Sequence, residues 1–263
     1  MAESLEVDGE LALPLVATIA TRLGPTLANA QHVLDVGCGP GVITCALAAH
    51  APAAAVTGLD TAGPLLQRLR ERATHQGVVD RVATVEGNLE ADLPDLSPAD
   101  VVWAAMVVHH VADRVATLRR LHDALRPGGT LVLVEFGGQP TVLPPGDPAE
   151  GAWQRMQDAA EANLVERLGF DVPHHAWAPE LEAAGFTVAG DGPVEFLHPA
   201  PLGAAGGRWL PRHARRGIQW AGEALTPADA SALDALATSV ELGERPDVAI
   251  RAERRVVLAT RPG

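Results

Sequence analysis

The chain has 263 residues, 47% of them hydrophobic and 20% charged, with a formal net charge of −13. That length suits one sizeable α/β domain. The acidic balance argues against nucleic acid as a partner, because phosphate binding needs a basic surface, and no apolar run is long enough to span a membrane.

In chain order, the first ten residues are expected to fray, and Leu11 to Arg22 carries a helical apolar pattern closed by Gly24-Pro25. A repeating beat follows. Val33–Val36 reads as a strand and Val42–His50 as a helix. Ala55–Leu59 reads as a strand and Leu65–Gln76 as a helix. Val82–Glu86 and Asp100–Ala104 are strands, Arg114–Leu125 is a helix stopped by Arg126–Gly129, and Thr130–Phe136 is a buried strand. Such alternation means a parallel sheet with helices on both faces and right-handed crossovers. After Phe136 comes a Gly/Pro loop, 137–148, then a helix at Trp153–Leu168 and a short one at Pro179–Ala184. Strand segments are expected at Phe186–Val188 and Val194–Leu197, broken at Gly190–Pro193. A basic helix, a helix at Pro227–Leu242 and a last strand within Ala249–Thr260 complete the chain.

The most informative stretch is Val33 to Gly41, V-L-D-V-G-C-G-P-G. An apolar run breaking into alternating glycines reads as a buried strand turning into a helix, whose first amides face whatever ligand approaches the loop. The dinucleotide fingerprint G-x-G-x-x-G is not met, because Val42 stands where its third glycine would be. Asp60 ends the second strand in G-L-D, where a carboxylate can accept both hydroxyls of a ribose or cap the next helix. Farther on come E-G-N-L-E around Asn88, the small residues Ala104 and Ala105 before Met106, the string H-H-V-A-D at His109–Asp113, and L-R-P-G-G-T-L-V-L-V-E-F at Leu125–Phe136.

The D-x-G-x-G-x-G pattern, with Asp35 two residues before Gly37, resembles the first motif of the class I S-adenosylmethionine-dependent methyltransferases. H-H-x-x-D and L-R-P-G-G are similar to later strings of its small-molecule members. The resemblance covers Val33 to Phe136 well and the final strands more loosely. It implies a Rossmann-like α/β fold, a seven-stranded, mostly parallel sheet with helices on both faces and the last strand antiparallel, with helical cap insertions. It implies one domain over 1–263: a core at about 11–136 with strands at about 185–197 and 248–261, and caps at about 137–179 and 193–246 that set acceptor specificity.

The implied cofactor is S-adenosyl-L-methionine, leaving as S-adenosyl-L-homocysteine. The implied cofactor residues are Asp35, Gly37, Cys38, Gly39 and Gly41 in the loop, Asp60 and Thr61, Asn88 and Leu89, and Ala104. At Asn88 the family usually has Asp; Asn keeps a carbonyl acceptor for the adenine amino group but loses the charge. The implied reaction is methyl transfer to an O, N or C nucleophile of a small molecule, in secondary metabolism for example. His110 or His109 is the candidate general base, although proximity and orientation alone can suffice for a good nucleophile.

Met106, His174, His175 and Trp177 are candidate acceptor contacts. Arg212, in the basic cluster 208–216, is a candidate for holding an anionic acceptor; a solvated charged face is the alternative. No metal site is expected, since no cluster has metal-ligand spacing. Cys38 and Cys45 are too far apart along a helix for an easy disulfide, roughly 10 Å, so both are expected as thiols of a cytoplasmic protein. The acidic start M-A-E-S-L-E lacks the features of a signal peptide. The rival reading is a methyltransferase-like protein that binds the cofactor and runs a non-methylating reaction or serves as a binding partner.

Overall fold

The computed structural model describes residues 2–91, 93, 96–172, 174–239 and 242–263. Contacts divide the chain into two compact units, one comprising 1–137, 173–194 and 254–263, the other 138–172 and 195–253.

The first unit opens with helices α1 (Ala2–Leu11), α2 (Leu13–Leu23) and α3 (Pro25–Ala28). Strand β1 (His32–Val36), helix α4 (Val42–His50), strand β2 (Ala55–Asp60), helix α5 (Gly63–His75), and strands β3 (Val82–Glu86) and β4 (Ala99–Ala105) follow. Then come α6 (Arg114–Ala124) and β5 (Leu125–Phe136). The second unit contributes α7 (Glu150–Leu168), after which the chain returns through α8 (Ala178–Ala183) and β6 (Thr187–His198). Helices α9 (Gly203–Ala221) and α10 (Pro227–Thr238) precede the last strand, β7 (Ile250–Thr260).

The strands form one seven-stranded sheet in the order β3-β2-β1-β4-β5-β7-β6. The pairs among β1–β5 are parallel, and β7 runs antiparallel to β5, from Thr130↔Thr260 to Phe136↔Arg254. The expected doubly covered sheet with an antiparallel last strand is therefore present. From β1 the chain moves outward to β2 and β3, then crosses back to β4 and β5. The order reverses between β1 and β4, and ligands of open α/β sheets bind beyond the strands' carboxyl ends at such a reversal.

Period-two alternation sorts the strand residues onto two faces. Leu34, Val36, Leu59, Val102, Ala104, Leu131 and Leu133 join Leu118, Leu121, Trp177, Leu181 and Phe186 in one core cluster. On the other face Asp35 lies in register with Gly58 on β2 and Trp103 on β4. Apolar residues on both faces explain why the strands read as continuous hydrophobic runs. Arg81 donates to the carbonyls of Ala48, in the last turn of α4, and of Ala51 and Ala54 beyond it, at 2.9–3.3 Å.

Three expectations are corrected. Fraying was expected over the first ten residues; the described ones do not fray, and residues 2–11 are α1, with Val7 and Leu11 buried four apart on one side. Glu6 meets Arg68 and Arg72 of α5 at 3.4 and 3.6 Å, and Gly9 lies so close to Val42 that a Cβ there would come within 2.9 Å of the valine. The acidic sequence concealed those two apolar anchors. The break expected at 190–193 is absent, and β6 continues through Gly190–Pro193. As the outermost strand, β6 can leave the proline's missing donor on its open side. Finally, β5 begins at Leu125, which pairs with Ala99 before Thr130 pairs with Val101. Arg126–Gly129, expected as a helix stop, thus bulges out of the ladder.

In the second unit α7, α9 and α10 pack on one another. A Cβ on Gly217 of α9 would stand 2.4 Å from the Met156 sulfur of α7, so those helices approach closely. Asp229 of α10 accepts from Arg155 of α7 and from Thr226. His213 stacks on Trp209, ring centroids 4.2 Å apart, and the Trp153 ring lies tilted 5.5 Å from it. No described helix is long and apolar enough to cross a membrane.

Candidate cofactor and active site

The turn out of β1 is fixed by its backbone. The amides of Gly37 and Cys38 both donate to the Leu59 carbonyl of β2, at 2.7 and 3.1 Å. Gly37, Gly39 and Gly41 all have positive φ, +66°, +53° and +79°, a region side chains disfavour. Two of them also lack room. A Cβ on Gly37 would stand 2.6 Å from Val107, and one on Gly41 2.1 Å from Leu69 of α5.

Gly39 differs. It is buried, yet a Cβ built on it meets nothing within 4 Å. Its amide donates to Asp60 Oδ2 at 2.9 Å, and Oδ1 of the same carboxylate accepts from the Ala62 amide at 2.9 Å. The loop is thereby tied to the end of β2. A carboxylate has about four acceptor sites, so Asp60 retains acceptor capacity for two vicinal hydroxyls. A glycine with space above it beside such a carboxylate fits the nucleoside and amino-acid parts of S-adenosylmethionine.

Asp35 occupies a different place from that of a surface ligand. It is 2% exposed, and the Thr44 hydroxyl of α4 donates to its Oδ2 at 2.6 Å. Burial, with the negative Asp60 nearby adding to it, pushes the Asp35 carboxyl up to about 7 against the pull of the Thr44 hydrogen bond. It therefore braces β1 against α4 beneath the loop. Folding holds a proton that the unfolded chain releases near pH 4, so this stabilising contribution falls as pH rises from about 4 to about 7. At about 1.4 kcal/mol per unit, the loss approaches roughly 4 kcal/mol. Asp35→Asn keeps an acceptor for Thr44 and cannot ionise. In urea denaturation it is expected to gain stability over the unsubstituted chain progressively between about pH 4 and about pH 7; a constant difference would show that Asp35 does not titrate in this range.

Cys38 and Cys45 are free and buried. Burial, with Asp35 and Asp60 adding, pushes the Cys38 thiol far up; burial also raises Cys45, to about 11. Both are held as thiols, which removes them as nucleophiles.

At the end of β3, Asn88 is exposed and its Oδ1 accepts from the Glu90 amide at 2.9 Å, an Asx turn that leaves the oxygen a second lone pair. Leu89 is buried in the core cluster, and Thr61 is exposed beside Asp60. Ala104 is fully buried at the carboxyl end of β4. Met106 then takes φ +56° and donates its amide to the Val134 carbonyl of β5 at 2.8 Å.

The two histidines separate. His109 is 3% exposed and its Nδ1 lies 2.6 Å from Oε2 of Glu135, whereas His110 is exposed with its ring 3.9 Å from that of His109. Asp113 caps α6, accepting from the Ala116 amide. Sequence reasoning overlooked Glu135, although an acidic residue closing the apolar strand T-L-V-L-V-E-F was a signal in plain sight.

The remaining candidates are spread out. Trp177 is wholly buried in the core cluster. His175 lies 3.3 Å from Glu180, which also accepts from Arg114, and His174 is exposed. Arg212 belongs to the second unit, half-buried on α9. Among the described residues no three His, Cys, Asp or Glu side chains gather as a metal site would require.

Comparison with known proteins agrees with this geometry. Residues 33–129 match the family model described as a methyltransferase domain. A carboxy-S-adenosyl-L-methionine synthase of Chromohalobacter salexigens is 36% identical over 157 residues, 57% of this chain and 53% of the relative. The 27-O-demethylrifamycin SV methyltransferase of Amycolatopsis mediterranei is 37% identical over 123 residues, 44% of each chain. The chain thus spans about half the length of these curated relatives. Among solved structures, a protein of Bacillus halodurans provisionally named a methyltransferase superposes with TM-score 0.57 at 19% identity, covering 95% of this chain and 99% of the other. That likeness concerns the fold. Over residues 33–129 the chain is thus similar to a methyltransferase domain, and its fold is one that solved structures share.

Proposed function

We propose that the protein transfers a methyl group from S-adenosylmethionine to a small-molecule nucleophile. The observation that carries this reading is the buried, open-sided Gly39 amide bonded to Asp60 at the sheet's reversal point. When bound, the cofactor supplies an electrophilic methyl group on a sulfonium. The chain's own residues would do the rest. Asp60 accepts the ribose hydroxyls, Asn88 Oδ1 accepts from the adenine amino group, and the loop glycines let the backbone approach the amino-acid end. Ala104 supplies an apolar wall and Met106 borders the acceptor. His110 takes a proton from the acceptor at an imidazole nitrogen, while the buried thiols stay out of the chemistry.

A small acceptor is supported by the relatives' names, which include methyltransferases of trans-aconitate and of a demethylrifamycin. The first suggests an anionic acceptor, for which His174 and His175 of the first unit are the candidate contacts; the second suggests secondary metabolism. Two free thiols suit the reducing cytoplasm, and a net charge of −13 disfavours nucleic-acid acceptors. One observation favours a second reading: the synthase relative is named for making a modified cofactor, so non-methylating chemistry on the bound cofactor is the alternative. Incubation with S-adenosylmethionine and an acceptor panel separates the two. Acceptor-dependent release of S-adenosylhomocysteine, followed by mass spectrometry, is the expected result. A mass-shifted cofactor with no S-adenosylhomocysteine would favour the second reading, and an unchanged cofactor with every acceptor would contradict both.

A further inference from the structure

Glu135 is wholly buried at the carboxyl end of β5, and no role in binding cofactor or acceptor falls to it. Its carboxylate nevertheless gathers three groups of one short turn. Oε1 accepts from the amides of Val108 and His109, at 2.9 and 3.3 Å, and Oε2 lies 2.6 Å from His109 Nδ1. Both amides reach Oε1, which leaves Oε2 to His109 alone; with Oε2 accepting as Oε1 does, Nδ1 would carry the hydrogen.

The approach to that turn is equally constrained. Met106 adopts φ +56°, a conformation that costs energy for a side-chain-bearing residue and persists where surroundings over-determine it. The next residue, Val107, fills the space above Gly37 in the cofactor loop. His109 is held from the side by Phe136, edge to face with ring centroids 4.9 Å apart. The exposed ring of His110 then lies against His109 at 3.9 Å.

We infer that Glu135 is a positioning residue, locking the turn after β4 and His109 into one rigid platform that presents His110 as the proton acceptor. His109 is fixed as the Nδ1-protonated tautomer and serves as the base plate. His110 is the exposed member that a substrate proton can reach. The elbow at Met106–Val107 sets this platform against the loop that carries Gly37, so the donor and acceptor sides share one rigid frame. The kinetic part of this inference rests on the methyl-transfer reading; the structural part does not.

The test uses the full chain labelled with 15N-histidine, without cofactor. Long-range 1H–15N spectra report the tautomer of His109, assigned by the signal missing in His109→Phe. Glu135→Gln can still accept from the two amides through Oε1, but its amide nitrogen donates toward His109 and favours the opposite tautomer. The expected result is an Nδ1–H pattern in the unsubstituted protein and its loss or inversion in the variant. An Nε2–H pattern in the unsubstituted protein overturns the inference even if the variant fails to fold, as does an unchanged pattern in a folded variant. With a methyl acceptor in hand, Glu135→Gln is expected to lower kcat by about 10- to 1000-fold, short of or equal to typical loss of a general base, with cofactor affinity unchanged. Normal kcat would remove Glu135 from positioning. Absence of methyl transfer with every acceptor would count against the proposed function, while the tautomer spectra would still decide the clamp.

Discussion

Gly41→Ala is expected to destabilise the fold by about 2–5 kcal/mol, whereas Gly39→Ala, two residues away, is expected to cost the fold only about 1–2 kcal/mol and to damage ligand binding. Both glycines have positive φ, which costs a side-chain-bearing residue about 1–2 kcal/mol. At Gly41 the new methyl would also press on Leu69, at 2.1 Å from one carbon and 2.7 Å from another. Overpacking of this kind adds about 1–3 kcal/mol, and the leucine is wholly buried, with nowhere to retreat. At Gly39 the new methyl meets no protein atom within 4 Å, so it stands in the space assigned to the ligand. Urea denaturation gives the stabilities and calorimetry the affinities. Cofactor binding by Gly39→Ala is expected to fall tenfold or more, about 1.4 kcal/mol. If both variants lost stability equally, Gly39 would be another packing glycine and the open side of the loop would have no binding role.

Asp60→Ala is expected to weaken S-adenosylhomocysteine binding by about 1–3 kcal/mol, the scale of hydrogen bonds to a charged acceptor. Two losses combine. The acceptor for the ribose disappears, and the Gly39 amide loses the oxygen that holds the loop at 2.9 Å. Asp60→Asn separates them, because its carbonyl oxygen can keep one of these bonds. Calorimetry is expected to rank affinity as Asp60, then Asn, then Ala. Unchanged affinity in Asp60→Ala would take the residue out of the site.

The donor side was legible because backbone geometry dictates its residues. A turn with three positive φ values leaves almost only glycine, and a strand end facing a ribose calls for an acidic group. Asp60 was singled out as a candidate on that ground, and the parallel alternation was visible because buried strands are written as apolar runs. Asp35 was legible as a residue and not in its role, since spacing does not say whether a carboxylate faces a ligand or a neighbouring threonine. The histidine pair shows the same limit from the other side. The string H-H-x-x-D marks a turn, but which ring is buried depends on Glu135, a residue from the next strand. Helix α1 escaped because its two apolar anchors lie among acids, and the partners of one of these, Glu6, are Arg68 and Arg72, far along the chain. Trp177 read as a pocket residue because an aromatic near two histidines looks exposed in sequence; the core cluster claims it instead.

The central claim is that the loop from Gly37 to Gly41 and Asp60 hold S-adenosylmethionine. Isothermal calorimetry of the unsubstituted chain with S-adenosylhomocysteine, and separately with NAD, tests it most directly. The account predicts saturable one-to-one binding of S-adenosylhomocysteine and no heat with NAD, since Val42 replaces the glycine that the dinucleotide fingerprint requires. Binding of NAD with no response to S-adenosylhomocysteine would contradict it.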